Sequence, residues 1–156
     1  MELELHSEAD TLALARSLGS VLEAGDVIGL EGGLGAGKTT FARGVVYGLG
    51  IPEDTAVTSP TFALLHHYEG RLPVAHADFY RLGGEAEVEE LGVDELVEDG
   101  AVLIVEWGRK FPEMASRTVL WVELGFISEV GRSVRLRPQG ARGDAIIGAL
   151  TKRVSG

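Results

Sequence analysis

An α/β fold with a mixed sheet, parallel at its centre and antiparallel at its edges, is predicted for this 156-residue chain by three observations. Val27-Ile28-Gly29-Leu30 reads as a buried strand that runs through a glycine-rich loop into a helical segment, 40–49, ended by Gly50 and Pro52. Ala101-Val102-Leu103-Ile104-Val105 is a continuous apolar run rich in β-branched residues, the pattern of a strand covered on both faces. Segments 61–68 and 72–79, joined by Glu69-Gly70-Arg71, read as a hairpin, and 119–126 with 133–136 as a final strand pair; both belong at the margins of such a sheet.

Taken in order, Glu2 to Leu5 opens the chain as a short strand. Ser7 caps the next helix with Asp10 three residues on, and Leu12, Leu14, Ala15, Leu18, Val21 and Leu22 supply its apolar side until Gly25 ends it. After the loop strand and its helix, Thr58-Ser59-Pro60-Thr61 forms a polar break. Short helical pieces are expected at 85–91 and 94–97, and a closing helix at 141–154. With no linker, repeat or low-complexity stretch, residues 1–156 are expected to form one domain, which at this length buries about two-thirds of its unfolded surface. Local pattern leaves the strand order open.

The net charge of −10 argues against a general nucleic-acid binder, which needs a basic face to displace counterions. Between Leu82 and Glu106 the acids Glu85, Glu87, Glu89, Glu90, Asp94, Glu95, Glu98 and Asp99 stand without a single Lys or Arg. Such a run is either a solvated helix face or a docking surface for a basic partner. Cysteine is absent, so disulfides and thiolate metal sites are excluded. The first six residues lack the basic and apolar regions of a secretory leader, and no apolar run approaches bilayer length. A cytoplasmic location and no membrane partner are therefore expected.

Gly32 to Thr39 is an intact G-x-x-x-x-G-K-[ST] phosphate-binding loop, set between strand and helix as its chemistry requires. Backbone N–H groups across Gly33, Leu34, Gly35, Ala36 and Gly37, together with the positive end of the helix, converge on one point. Lys38 then reaches the β- and γ-phosphates, the Thr39 hydroxyl ligates Mg²⁺, and Thr40 follows beside them. The expected ligands are a nucleoside triphosphate and Mg²⁺, and the fold class becomes a three-layer, P-loop NTPase-like one. Hydrolysis also needs an acid for the metal and a group that orients water. Glu106 is the first candidate, because it ends the most apolar strand and ligands of open α/β sheets lie beyond the carboxyl ends of strands. Asp78, also at a strand end, is the second; His76, two residues before it on the same face, either orients it or is a core histidine. Ser59 and Thr61 belong to a switch-like segment or an ordinary turn. Trp107 and Arg109 cover the base, bridge to a partner, or simply pack. His66 and His67 point to opposite strand faces and make no joint metal site.

These elements occur together in a recognisable order: GGLGAGKTT from Gly32, Ser59-Pro60-Thr61-Phe62, His76-Ala77-Asp78-Phe79-Tyr80-Arg81-Leu82 and Ile104-Val105-Glu106-Trp107. In this the chain resembles the bacterial TsaE family, the ATPase component of tRNA threonylcarbamoyladenosine biosynthesis. The likeness covers the first strand to about Phe126. It implies that Lys38 binds phosphate, Thr39 magnesium, and that Thr40 lies near the nucleotide. Asp78 would be the essential acid of the H-x-D motif, acting on Mg²⁺ or the attacking water. Glu106 would stand in the Walker B position, Trp107 at the nucleotide edge, and Ser59 and Thr61 in the switch-like segment. The resemblance further implies ATP hydrolysis that is weak alone and works with TsaD and TsaB in the modification of adenosine 37, with tRNA engaged only through the complex. Weak self-association through the partner surface stays open. A guanine-reading Asn-Lys-x-Asp element is impossible, since the chain has no asparagine. A small-molecule kinase is the rival class, though Arg71, Arg81, Arg109 and Arg117 are scattered and the stretch after Arg81 is acidic.

Overall fold

The computed structural model of the chain describes residues 1–33 and 35–155, with Ser155 described by its backbone alone. Its elements are β1 (Glu2–Leu5), α1 (Glu8–Val21), β2 (Val27–Glu31), α2 (Lys38–Gly48), β3 (Leu65–Glu69), β4 (Pro73–Asp78), α3 (Glu85–Glu90), α4 (Val93–Glu98), β5 (Val102–Glu106), a 3-10 turn (Gly108–Lys110), α5 (Pro112–Arg117), β6 (Leu120–Phe126), β7 (Arg132–Pro138) and α6 (Gly140–Ser155). The strands form one sheet in the order β1-β7-β6-β2-β5-β4-β3. β6, β2, β5 and β4 are mutually parallel, while β7 and β3 fold back antiparallel on β6 and β4. The expected mixed sheet is thus present. Local pattern left this whole order open, including the place of β1, which pairs antiparallel with β7 at the far edge.

Side-chain alternation divides the interior into two layers. Ile28, Leu30, Val74, Val102, Ile104, Val122 and Leu136 face α1, α2 and α6, meeting Leu14, Leu18, Phe41, Val45 and Ile146. Val27, Ala75, Ala77, Leu103 and Val105 face the other way, onto Val88, Val93, Val97, Phe111 and Met114. In the period-2 pattern His76, Asp78 and Glu106 fall on the first face, the side of α2. Gly29, inside β2, is covered by the Trp121 ring of β6, which a methyl there would overlap at 2.4 Å.

Local chemistry sets the helix ends. The Ser7 hydroxyl accepts from the Asp10 N–H as predicted, but the Asp10 carboxylate reaches past Ser7 to the His6 N–H at 3.0 Å. Arg71 closes the other end of α1 by donating to Gly19 O at 2.9 Å and Leu22 O at 2.8 Å. Residues 61–64 depart from the expected strand: they form a turn, closed by Leu64 N–H to Pro60 O at 2.6 Å, and Leu64 has a φ of 68°. Pro60 has no N–H for a ladder and the left-handed Leu64 turns the chain out of extension, so β3 begins only at Leu65. The 3-10 turn and α5 were not foreseen; each spans under two helical turns, too short for a readable period.

The stretch after Phe126, for which no motif was found, completes the sheet and one helical layer. Arg142 on α6 grips buried Asp26 ahead of β2, Nε to Oδ1 at 2.9 Å and Nη2 to Oδ2 at 2.8 Å. That hydrogen-bonded carboxylate holds the Arg142 guanidinium above its ordinary pKa. On α3 and α4, Val88, Val93 and Val97 turn inward while Glu87, Glu89, Glu90, Glu95 and Glu98 face solvent, the arrangement of a solvated acidic face. Among the described residues no helix is long and apolar enough to cross a membrane.

Candidate active site

The glycine-rich loop leaves β2 at Glu31 and enters α2 at Lys38. Gly35 and Gly37 adopt φ values of 79° and 101°, a region that glycine reaches without the steric cost of a Cβ. Phe41 N–H closes the first helical bond onto Gly37 O at 2.9 Å, so the N–H groups just before it belong to the unpaired start of the helix. Gly33, Gly35, Gly37, Lys38, Thr39 and Thr40 line a cavity of about 790 Å³. Ala36 does not line it. Its methyl is buried in the core beneath the loop and its N–H bonds Gly33 O at 3.1 Å. Leu34, also expected at the nucleotide, lies outside the described residues.

Across the cavity stand the two strand-end acids. β4 and β5 pair so that Asp78 sits directly beside Glu106, and both are buried. A carboxylate out of water needs partners. Glu106 has His76, whose Nε2 lies 2.8 Å from its Oε2, and Lys38, whose Nζ is 3.9 Å from its Oε1. His76 therefore orients Glu106 rather than Asp78. It comes from the position diagonally across the strand pair, which its spacing from Asp78 alone did not reveal. Its Nδ1 has no hydrogen-bond partner within the described residues. The tautomer that satisfies the pair carries its proton on Nε2, leaving only a lone pair unmatched. Asp78 Oδ1 accepts from the Tyr80 N–H at 2.9 Å.

Ser59 and Thr61 also line the cavity, their hydroxyls 2.8 Å apart. Trp107 borders the other side, its ring 5.0 Å from the Lys38 ammonium and 5.0 Å from the Tyr80 ring. Trp107 and Leu64 are the non-glycine residues with positive φ among those described, and both touch the acids' strands. Trp107 follows Glu106, and Leu64 O accepts the Asp78 N–H at 3.0 Å. Strained backbone of this kind persists where its surroundings over-determine it. One contributor was invisible in the sequence. The Lys110 ammonium donates to the carbonyls of Phe79, Tyr80 and Leu82 at 3.3, 2.8 and 3.0 Å, tying the chain after Asp78 to the turn after Glu106. Backbone acceptors leave no residue signature. Arg109 turns from the cavity to Glu31 and Glu123, with its guanidinium over Trp121. His66 bonds Thr58 O at 3.3 Å and His67 is exposed, as structural residues.

Fold and loop together define the class: this is a P-loop NTPase-like α/β protein. The crystal structure of Bacillus subtilis YdiB superposes with a TM-score of 0.79 at 28% identity, covering 98% of this chain and 95% of that one. The family model for threonylcarbamoyl adenosine biosynthesis protein TsaE matches residues 5–134, so the chain belongs to the TsaE family. Among its relatives, the tRNA threonylcarbamoyladenosine biosynthesis protein TsaE of Treponema pallidum is 37% identical over 128 residues, 82% of this chain and 93% of the relative. The protein of the same name from Bacillus subtilis is 36% identical over 144 residues, 92% and 89% of the two chains.

Proposed function

We propose that this chain binds ATP with Mg²⁺ and hydrolyses it as a component of the machinery that makes N6-threonylcarbamoyladenosine at position 37 of tRNA, working with TsaD and TsaB. The family membership supports the pathway. The observation that supports the chemistry is the meeting of Lys38, Thr39, Asp78 and Glu106 on one cavity. Lys38 neutralises the β- and γ-phosphates, while loop N–H groups hold the chain of phosphates in line. Strand order supports a division of work between the acids. Glu106, on the strand next to the loop and beside Lys38, is the metal-side acid; Asp78, one strand further out and near Ser59 and Thr61, orients the attacking water. The Thr39 hydroxyl and two carboxylates are hard oxygen donors, and a Mg²⁺ ion, which keeps several waters and phosphate oxygens, fits so small a protein set. Bound there, it would draw charge from the β- and γ-phosphates. Water adds to the γ-phosphorus, the bond to the bridging oxygen breaks, and ADP departs.

The four scattered arginines argue against a kinase lid. Arg71 caps α1, Arg81 lies over Phe62, Arg109 meets Glu123 and Arg117 pairs with Asp94. The acidic face of α3 and α4 likewise suits a subunit that meets tRNA through partners. Phosphate release by the purified chain, alone and with TsaB and TsaD, tests this reading. Slow release alone and a clear rise with the pair are expected. Brisk release indifferent to the partners, or label passing to a small-molecule acceptor, would sink it. In the same assay His76→Leu, which frees Glu106 from its anchor, is expected to lower the stimulated rate about 10–100-fold with little change in ATP affinity.

A further inference from the structure

Lys110 stands beside the main cavity, where a lysine would pass for a second phosphate ligand. It lines a side cavity of about 520 Å³ that shares Gly33, Lys38 and Trp107 with the main one. Its bonds assign it another task. An ammonium has three donors, and Lys110 Nζ has three carbonyl acceptors: Phe79 at 3.3 Å, Tyr80 at 2.8 Å and Leu82 at 3.0 Å. No proton is left over for a ligand. The carbonyls converge because residues 79–82 form a turn, with Leu82 N–H returning to Phe79 O at 3.1 Å. Phe79 and Leu82 are buried in the core beneath it, while Tyr80 and Arg81 stay exposed. Lys110 is itself anchored at the end of the 3-10 turn, where Phe111 N–H bonds Gly108 O at 3.1 Å and the Phe111 ring meets Phe79 edge-on.

One of the three acceptors belongs to a peptide unit that also holds a site acid. The Phe79 carbonyl faces Lys110, and the N–H of the same peptide, that of Tyr80, donates to Asp78 Oδ1 at 2.9 Å. A peptide unit is planar, with its C=O and N–H on opposite sides, so fixing one end aims the other. We propose that Lys110 is a positioning residue for Asp78, its ammonium holding the Phe79–Tyr80 peptide so that the Tyr80 N–H fixes the carboxylate at the cavity. The inference rests on the reading above in which Asp78 orients the attacking water. Phe79 N–H to Glu106 O at 3.0 Å secures the turn at its start, and the Leu82 bond lies within the turn and moves with it. The Lys110 bonds tie the rest of the turn to the chain that follows Glu106.

Amide hydrogen exchange on the purified chain tests the link without nucleotide. In Lys110→Ala the Tyr80 amide is expected to exchange about tenfold faster than in the native chain, with Ile104 in buried β5 unchanged. Unchanged Tyr80 exchange, or equal acceleration at both amides, would overturn the proposal. Kinetics test the consequence. With TsaB and TsaD present, Lys110→Ala should lose about tenfold in kcat at unchanged KM for ATP, because a misplaced reacting group costs rate rather than binding. Added to Asp78→Asn it should cost nothing further; full additivity would mean that Lys110 does not act through Asp78. Lys110→Arg keeps the charge and serves if the alanine variant does not fold. A planar fork does not match a three-sided set of carbonyls, so the same fall in kcat is expected, and native kcat would overturn the assignment. A native chain that hydrolyses no ATP with its partners would refute the ATPase reading instead, a result the exchange data do not depend on.

Discussion

Lys38→Ala is expected to abolish partner-stimulated ATP hydrolysis while leaving the protein folded. Among the described residues the Lys38 ammonium makes one hydrogen bond, to Gly32 O at 2.9 Å, and stands 3.9 Å from Glu106 and 5.0 Å from the Trp107 ring. All three contacts lie inside the loop and its cavity, so truncation removes no core packing. A change in stability of no more than about 1 kcal/mol is expected, because the lost bond joins a partly solvated loop carbonyl. Catalysis is different, since on the proposed reading the positive charge would sit where negative charge spreads during transfer of the γ-phosphoryl group. Removing one such preorganised donor costs about 10²–10³ in rate. Lys38→Arg should not rescue, because the planar guanidinium is larger than the space an ammonium fills under the loop. The checks are phosphate release with TsaB and TsaD and thermal unfolding of the same sample. A folded variant that retains most of the stimulated rate would remove Lys38 from the mechanism.

Gly48→Ala is expected to lower stability by about 3 kcal/mol, the upper range for overpacking a close contact. Helix propensity alone predicts the opposite sign, since alanine in a helix is favoured over glycine by about 0.5–1 kcal/mol. Packing decides. A methyl on Gly48 would lie 2.3 Å from Arg16 O and 2.9 Å from Gly19 Cα, and one on Gly44 would lie 2.5 Å from Ala15 Cβ. Helices α1 and α2 thus meet backbone to backbone, and backbone cannot rotate away as a side chain would. The midpoint should fall by about 6–12 °C, at roughly 2–4 °C per kcal/mol for a chain of this size. Because α2 begins at Lys38, its displacement should also weaken ATP binding. Gly148→Ala is the control: it lies in α6 and, its own helix backbone aside, no atom of the described residues comes within 4 Å of the added methyl, so the propensity gain should appear undiminished. Equal Tm values for Gly48→Ala and the parent protein would contradict the close helix contact.

The glycine pair shows why part of the fold escaped sequence reading. Gly44 and Gly48 sit four apart on one helix, but what they meet, Ala15 and Gly19, lies four apart on another, and only the crossing explains them. The hairpin expected from 61 began instead at Leu65, because Pro60 and the left-handed Leu64 act through a turn that alternation alone does not encode. In the site, Gly33, Gly35, Gly37, Lys38, Thr39, Thr40, Asp78, Glu106, Ser59, Thr61 and Trp107, each picked out from the sequence, line one cavity. Ala36, expected at the nucleotide, contributes loop shape from within the core. The His76–Glu106 bond and the Lys110 clamp were not legible, since each joins segments about thirty residues apart.

By itself the sequence determined the glycine-rich loop between strand and helix, the buried strand that ends in Glu106, the acidic balance without cysteine, and the family. A motif or a period is complete within a few consecutive residues, and composition and motif order need only the chain read from end to end. Tertiary structure alone decided that β5 lies beside β2, that β4 brings Asp78 level with Glu106, and that β1 closes the far edge on β7. It also decided that the β6–β7 hairpin leans on the loop. Such pairings rest on hydrogen bonds between distant segments and on which faces are left to bury. Their energies depend on every neighbouring strand, so no single stretch of chain contains them.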